Sequence, residues 1–320
     1  MKIKKLFLAA GLSALAVGVT AQSPVDGSHY RAGQGGNRGG TLPEPGIYLR
    51  DDNWFYTGTS ETLPGYKTFV YVQAPQLLWV TDWKILGAKW GMDFEIPFGY
   101  REASHRSPVA SPGGGYPIGG LVSDHQSGLG DVKLEPLLLS WHWKHFDTTV
   151  GYALLAPTGE FSERSAVNLG DDAWSHLISL GGVWYPDAKK SWAVSLLHHY
   201  EFNSSQVGTL AQSGSSPGSG YPSTAYPKIS CSTYTLEWAV SKTILTNTEV
   251  GLFGYYQKQF TDSSPAVNVF QDSEVAGVGP EISFRLPRWD LSMSLRYAYE
   301  FTAYHRPQGH AFNLTLSKKF

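Results

Sequence analysis

Cysteine is nearly absent from this chain of 320 residues, which holds a single one, Cys231. A lone cysteine cannot form an internal disulfide, so a small scaffold stapled by disulfides is excluded. Charged residues are also scarce, at 16%, and the formal net charge is −2. These values exclude nucleic-acid binding through a broad basic surface. Intrinsic disorder requires few aromatic residues and a high net charge, and the aromatic content of 14% excludes it as well.

Long apolar runs are missing everywhere except at the start of the chain. Residues 1–21 have three lysines among the first five positions, an apolar stretch over 6–19 and small residues up to Ala21. This pattern predicts a secretory signal peptide cut after Ala21, the alternative being a buried N-terminal helix. No later stretch reaches about 18 consecutive apolar residues, so no transmembrane helix is expected. An exported chain without one is periplasmic, secreted or inserted in a membrane as a β-barrel.

Several long runs alternate between apolar and polar or small side chains. In 89–100 and 291–302, every second residue is aromatic or aliphatic. A period of two is that of a β-strand. The runs are longer than the usual strand of about 5–6 residues and suit the about 9–11 residues that a tilted strand needs to cross a bilayer. The sequence therefore predicts an all-β protein, a transmembrane antiparallel β-barrel.

Turn residues between the runs predict about twelve strands in one barrel domain over 46–320. The connections alternate between short, the first near Asp82, and long, such as 100–128. This is the sidedness of outer-membrane barrels, and seven of the 11 tryptophans flank the short turns, as in an aromatic girdle. Pro136 and Pro280 fall inside predicted strands and imply bulges or displaced strand ends. The predicted strands are 46–58, 66–79, 85–99, 129–142, 146–158, 174–185, 191–203, 231–242, 248–261, 274–286, 289–304 and 309–320.

The last predicted strand ends on an aromatic residue, Phe320. An alternating strand that ends in this way resembles the final strand of bacterial outer-membrane proteins. The resemblance implies that Phe320 is an assembly signal, read by the outer-membrane assembly machinery. Lys318 departs from the pattern, which has an apolar residue at that place. Its cost near the interface is about 0–1 kcal/mol.

The segment 39–56 resembles the opening of the phenol meta-pathway degradation family of outer-membrane proteins. The specific part is the motif Leu-Pro-x-Pro-Gly-x-Tyr, here Leu42 to Tyr48, followed by an aromatic strand. The long alternating strands and Phe320 extend the resemblance over most of the chain. It implies an outer-membrane barrel linked to uptake of aromatic or other hydrophobic compounds. It carries over no site residues.

If the apolar faces meet lipid, the polar faces line the lumen, because a charge on the lipid face near mid-membrane costs about 2–4 kcal/mol. The lumen charges are mixed in sign and either contact solute or brace a narrow lumen as ion pairs. Glu281 is expected opposite or diagonal to Arg296 across the turn at 287–288. The candidate lumen and solute-path residues are Lys89, Asp93, Glu95, Lys133, Glu135, Glu237, Glu249, Glu281, Arg285, Arg296 and Glu300, and Asp131 and Glu201 share their face.

These observations predict a channel or transporter for small solutes, including aromatic or hydrophobic ones, in the outer membrane of a Gram-negative cell. The expected partners are the lipid bilayer, a small-molecule solute and the assembly machinery, and no nucleic acid. The Gly/Pro-rich segment 22–45 is either a periplasmic tail or a plug inside the barrel. No cofactor and no metal site is expected, because no Cys or carboxylate has ligand spacing to the histidines.

Two other functions stay open at this point. One is an outer-membrane hydrolase, since residues 214–218 match G-x-S-x-G. The match lies in a Ser/Gly/Pro loop without the strand–turn–helix context of a nucleophile elbow, so no enzyme is predicted. The other is a binding or adhesive surface protein that acts through its long loops.

Overall fold

The computed structural model describes residues 28–60, 65–106, 121–162, 165, 167–203, 206–207, 228–262 and 273–320. No helix within these residues is long and apolar enough to cross a bilayer. Single 3-10 turns occur at Gly36–Arg38 and Pro287–Trp289. The strands are β1 (Gly46–Thr59), β2 (Lys67–Ile85), β3 (Ala88–Glu95), β4 (Phe98–Arg106), β5 (Leu121–Leu129), β6 (Val132–His142), β7 (Phe146–Ala156), β8 (Ser175–Trp184), β9 (Trp192–Asn203), β10 (Gln206–Val207), β11 (Lys228–Leu245), β12 (Thr248–Asp262), β13 (Ser273–Leu286), β14 (Leu291–Tyr304) and β15 (Gln308–Lys319).

The strands close into one antiparallel barrel. β1 pairs with both β2 and β15, which joins the two ends of the sheet. We call each passage of the chain through the barrel wall a crossing. β3 and β4 both pair with β2 and form a single crossing that is interrupted at residues 96–97. β6 pairs with β3 and β5 with β4, so these two form the next crossing, interrupted at residues 130–131. With β10 only a two-residue strand beside β11, the barrel has twelve crossings, and the predicted number is confirmed.

The first short turn lies further along the chain than predicted. The sequence favours a turn near Asp82, whereas β2 continues to Ile85 and the chain turns at Leu86 and Gly87. Both turn residues have positive φ, 52° and 81°. A two-residue hairpin turn needs this conformation, and glycine adopts it most easily. Asp82 instead lies in an irregular part of the β2–β3 pairing, between Val80 and Lys84.

The predicted long connection over 100–128 is partly strand. β4 extends to Arg106 and β5 begins at Leu121, so the wall continues past the predicted strand ends. Polar residues such as Glu102 and His125 occupy outward-facing places where an apolar residue would mark a strand, and they conceal the alternation. The bulge expected at Pro136 is present between Leu134 and Leu137. The other proline causes none, because Pro280 stays in register opposite Leu252.

Side chains alternate between the lumen and the lipid-facing surface. Phe94 and Phe98 are 39% and 47% exposed, whereas Asp93 and Glu95 are 3% and 6% exposed. Large apolar side chains outside and charged side chains inside are the reverse of a soluble sandwich. This distribution is that of a transmembrane barrel surrounded by lipid.

Aromatic residues form a girdle at each end of the lipid-facing surface. Near the short turns, the exposed tryptophans are Trp79, Trp83, Trp143, Trp184, Trp192 and Trp289. Toward the loops, tyrosines pair with histidines on neighbouring strands. Tyr152 Oη lies 2.8 Å from His176 Nδ1, and Tyr297 Oη lies 2.8 Å from His310 Nδ1. Rings that are apolar in the middle and polar at the edge suit both boundaries of a membrane.

Candidate functional site

Residues 28–45, which we call the inner segment, lie inside the barrel. Thr41 Oγ1 donates to Asp147 Oδ2 at 3.0 Å, near the short-turn end of the wall. At the other end of the segment, the backbone N–H of His29 donates to Glu201 Oε1 at 3.0 Å, near the loop end of β9. The segment therefore extends along the lumen from the loop end to the short-turn end of the barrel. The choice between the two alternatives left open by the sequence, a plug and a periplasmic tail, is taken up as part of the proposed function.

Cationic side chains of the inner segment meet carboxylates of the wall. His29 Nδ1 lies 2.6 Å from Glu201 Oε1 and His29 Nε2 lies 2.9 Å from Asp131 Oδ2. Arg31 Nη2 lies 3.0 Å from Glu95 Oε1. Since buried charges are costly unless they are paired, each of these contacts ties the segment to a specific place in the wall.

A further cationic contact lies near the short-turn end of the lumen, where Arg38 Nε lies 2.9 Å from Glu249 Oε2. The Arg38 guanidinium also donates from Nη2 to the carbonyl oxygen of Lys190 at 3.1 Å. One side chain of the inner segment therefore joins β12 to the connection before β9.

Backbone N–H groups of the inner segment bind a further wall carboxylate. Gly33 and Gly35 donate to the two oxygens of Glu237 at 2.7 Å and 2.8 Å, and Gln34 donates to Oε1 at 3.2 Å. A Cβ atom on Gly35 would lie 2.6 Å from Glu237 Oε2. Glycine suits this position because a Cβ atom would push the carboxylate away from the backbone N–H groups that it binds.

Glu281 and Arg296 lie directly opposite each other in the β13–β14 pairing, as predicted. Both contact the inner segment. Asn37 donates its backbone N–H to Glu281 Oε2 at 2.7 Å, and Arg296 Nη1 donates to the carbonyl oxygen of Gln34 at 2.7 Å. The segment thus uses one acidic and one basic wall residue as neighbouring anchor points.

Four charged residues of β3 and β6 form a cluster within the wall. Lys133 Nζ lies 3.3 Å from Asp93, 3.4 Å from Glu95 and 3.6 Å from Glu135. Arg31 of the inner segment supplies a second positive charge on Glu95. The cluster therefore braces two neighbouring crossings and also joins them to the segment.

The other candidate residues lie toward the ends of the lumen. Near the loop end, Glu300 accepts hydrogen bonds from the hydroxyls of Tyr56 at 2.7 Å and Tyr255 at 3.1 Å. At the short-turn end, Lys89 Nζ lies 2.7 Å from Glu44 Oε2, and this hydrogen bond lowers the pKa of the Glu44 carboxyl.

Arg285 does not line the narrow part of the lumen. It lies one residue before the end of β13 and is exposed. The alternation alone places it on the inward face with Glu281. That face opens to water at the end of the strand, so Arg285 belongs to the short-turn rim of the barrel.

A cavity of about 320 Å³ remains between the inner segment and one side of the wall. Leu155, Leu177 and Leu197 provide part of an apolar lining. The polar lining includes Lys133 and His199. A volume of this size lies at the small end of the range of about 300–1,000 Å³ for ligand pockets.

The described residues offer little for catalysis. Ser179 Oγ lies 2.8 Å from His199 Nδ1, inside the cavity, and the ring of Tyr30 lies 3.7 Å from the imidazole. His199 Nε2 has no hydrogen-bond partner, so a carboxylate that would orient the ring as in a serine hydrolase triad is missing from this part of the chain. Within the described ranges, no group of three or more metal-ligating side chains is arranged around a common point. The G-x-S-x-G match at 214–218 lies outside the described residues.

The sequence places Arg31 and Arg38 in the segment that is either a plug or a tail, but it does not single out His29 and assigns none of these cations to a wall carboxylate. His29, Arg31 and Arg38 all precede the first strand, where no alternation assigns a face. The available signal was the composition of the segment that carries them. Basic residues separated by glycines suit a backbone that passes close to acidic residues of the wall.

The fold and lumen together define a β-barrel of the outer-membrane type, with twelve strands, an apolar outside and a charged interior. The family described as "Putative MetA-pathway of phenol degradation" matches residues 52–316, so the chain belongs to that family.

Solved structures of bacterial outer-membrane barrels are similar to this fold. An outer membrane channel from Pseudomonas putida F1 superposes with a TM-score of 0.67 at 16% identity, covering 88% of this chain and 97% of that one. The β domain of the Bordetella autotransporter BrkA superposes with a TM-score of 0.50 at 13% identity, covering 86% of this chain and 99% of that one. Comparison with curated protein sequences finds no match.

Proposed function

We propose that this chain is an outer-membrane channel for small solutes and that its inner segment restricts the pore. The observation that carries the proposal is the set of contacts by which residues 28–41 follow the lumen from Glu201 to Asp147. Most of these contacts are hydrogen bonds and ion pairs with glycines between them, and Tyr30 and Ala32 add packing against small apolar clusters of the wall. Such a segment can release and rebind without unfolding the barrel, which has its own continuous hydrogen-bonded wall.

The solute passes through the cavity beside the inner segment. The cavity combines an apolar surface, formed in part by Leu155, Leu177 and Leu197, with charged groups such as Lys133. A small aromatic or hydrophobic compound with one polar group matches such a mixed lining, because its ring removes the leucines from water and its polar group finds a hydrogen-bond partner. Membership of a family connected with phenol degradation supports the same class of solute.

Export by residues 1–21 and recognition of Phe320 by the assembly machinery belong to the same proposal. Phe320 is 71% exposed and its backbone N–H donates to the carbonyl oxygen of Ile47 at 2.9 Å. The ring is therefore available at the short-turn end of the closing strand pair. A Phe320→Ala variant should accumulate outside the membrane fraction while the signal peptide is still removed.

The decisive experiment narrows the cavity without touching the segment. Ser179 points into the lumen and is 9% exposed, whereas Ile178, the preceding residue of the same strand, points to lipid and is 47% exposed. Ser179→Trp should reduce the uptake of phenol and small aromatic acids into proteoliposomes by at least fivefold. Ile178→Trp places the same side chain on the lipid-facing side of the same strand and should leave uptake unchanged.

Equal uptake by the two variants would show that solutes do not use the cavity. Slow uptake of sugars of similar size together with fast uptake of aromatic compounds would support the proposed solute class. An absence of any flux through the wild-type protein, in liposomes where its heat-modifiable band shows a folded barrel, would contradict the channel itself.

A further inference from the structure

One side chain of the inner segment differs in kind from the others. Tyr30 is the only Phe, Trp or Tyr among residues 28–45. It lies between His29 and Arg31, whose side chains are paired with wall carboxylates. Its own backbone N–H donates to Glu201 Oε2 at 3.3 Å. Polar anchors on both sides therefore hold the Tyr30 ring at a fixed place on the wall.

The ring of Tyr30 lies against three neighbouring strands of the wall. Its centroid is 3.7 Å from that of the His199 imidazole on β9, and the two ring planes are inclined by 31°. The ring also packs against the apolar cluster of Ala153, Leu155 and Leu177 on β7 and β8. An imidazole face beside aliphatic side chains forms a suitable surface for a flat aromatic ring.

The polar end of the Tyr30 side chain also has a neighbour. Its hydroxyl lies next to the carboxylate of Glu237 on β11, the strand that pairs with β9. Glu237 is in register with Leu197, two residues before His199, so the carboxylate and the imidazole are diagonal neighbours on the lumen side. A carboxylate accepts a hydrogen bond from a phenolic hydroxyl. We call His199, Leu155, Leu177 and Glu237 the ring site.

The side chain of tyrosine is a phenol joined to the main chain by one methylene group. A wall site that holds the Tyr30 side chain therefore offers the same contacts to a free phenol, namely a flat apolar surface that ends at a hydrogen-bond acceptor. Tyr30 and His199 both line the cavity of about 320 Å³ beside the inner segment. A phenolic solute in that cavity therefore meets a site of its own shape, which a tethered side chain occupies.

We propose that Tyr30 occupies a phenol-binding site of the lumen wall and that a phenolic solute competes with it and thereby loosens the inner segment. The inference rests on the proposed function, because the solute that passes the channel is also the ligand that opens it. A ligand that binds only when Tyr30 has left the ring site shifts the population toward that state. Its apparent affinity is reduced by the fraction of time during which the site is free.

The test measures binding of p-cresol, which has the structure of the tyrosine side chain without its main chain. Titration calorimetry uses the full mature chain, folded in detergent. Tyr30→Ala empties the ring site, so its dissociation constant for p-cresol should be at least tenfold lower than that of wild type. 4-Methylcyclohexanol has a similar outline without the aromatic ring, and its binding should differ by less than twofold between the two proteins.

Two neighbouring histidines of β9 provide a matched pair in the Tyr30→Ala background. His199 faces the lumen and is 7% exposed, whereas His198 faces outward, where its Nδ1 lies 2.8 Å from Tyr234 Oη. His199→Ala should weaken p-cresol binding at least fivefold, and His198→Ala should leave it unchanged. Equal affinity of wild type and Tyr30→Ala, or binding that does not depend on His199, would overturn the proposal.

A second measurement uses the wild-type protein alone, so it remains decisive if Tyr30→Ala does not fold. In planar bilayers, p-cresol should raise the frequency of channel openings at least threefold at concentrations where 4-methylcyclohexanol has no effect. Unchanged openings, together with p-cresol uptake into proteoliposomes, would overturn the inference and leave the proposed channel intact. Tighter binding of p-cresol to Tyr30→Ala without any uptake by wild type would support the ring site and contradict the channel.

Discussion

The backbone N–H of Gly33 donates to Glu237 Oε1 at 2.7 Å, although the two residues lie 204 positions apart in the chain. Glu237 is a wall residue of β11, and Gly33 belongs to the segment that precedes the first strand. A carboxylate that binds backbone N–H groups anchors the main chain itself, with no side chain needed at Gly33. This contact joins the closed barrel to the element that restricts its lumen.

Neutralising the anchor should loosen the inner segment. In Glu237→Gln the side chain keeps its size, but hydrogen bonds to a charged acceptor of about 1.5–3 kcal/mol are replaced by neutral ones of about 0.5–1.5 kcal/mol. A loss of about 1–2 kcal/mol corresponds to a factor of about 5–30 in an equilibrium. Single-channel recordings should therefore show open events about tenfold more frequent than in wild type. Glu102→Gln, an exposed residue near the loop end of β4, should leave the recordings unchanged.

Adding a single methyl group at Gly35 should have a similar effect through sterics. A Cβ atom there would lie 2.6 Å from Glu237 Oε2 and 2.8 Å from Leu197 Cδ2. Gly35→Ala should expose the inner segment to added protease in proteoliposomes, whereas Gln34→Ala should not. Protection that is equal in both variants would show that the close approach at Gly35 does not hold the segment.

Removing the inner segment should make the channel select for cations. The segment carries His29, Arg31 and Arg38, which meet Glu201, Glu95 and Glu249. Without it these carboxylates face the pore together with Glu237 and Glu281. Charged rings set the ion selectivity of a pore. The reversal potential of a variant lacking residues 24–41, measured across a KCl gradient, should favour K⁺ over Cl⁻. Anion selectivity would contradict this charge assignment.

The Lys133 cluster should contribute to barrel stability. Lys133→Met would leave Asp93, Glu95 and Glu135 close together without their shared cation. Removing one partner of a buried ionic group costs about 3–5 kcal/mol. Urea unfolding in lipid vesicles should show a loss of that size. Lys189→Met lies in the exposed turn before β9 and should change the free energy of unfolding by less than about 0.5 kcal/mol.

The wall of the barrel could be read from the sequence because its signal is local. Alternation in 89–100 assigns Asp93 and Glu95 to one face and Phe94 and Phe98 to the other, and the lipid environment fixes which face is inside. The register across a short turn also follows, so Glu281 could be placed opposite Arg296. The turn at Leu86 could not be placed, because a leucine with positive φ carries no sequence signal.

The contents of the lumen could not be read in the same way. Which wall carboxylate each cation of the inner segment meets depends on how twelve crossings close in space, and His29 meets residues 102 and 172 positions away. Arg285 was assigned to the correct face and to the correct place next to a strand end. Whether that end faces the narrow lumen or the water at the rim depends on how the strands are staggered around the barrel, which the sequence does not give.

Conductance in planar bilayers tests the central claim most directly. The full mature chain should give small, brief openings, and the variant lacking residues 24–41 should give a stable conductance several times larger, with the same heat-modifiable mobility as evidence of a folded barrel. Identical conductance of the two proteins would show that the inner segment does not restrict the pore.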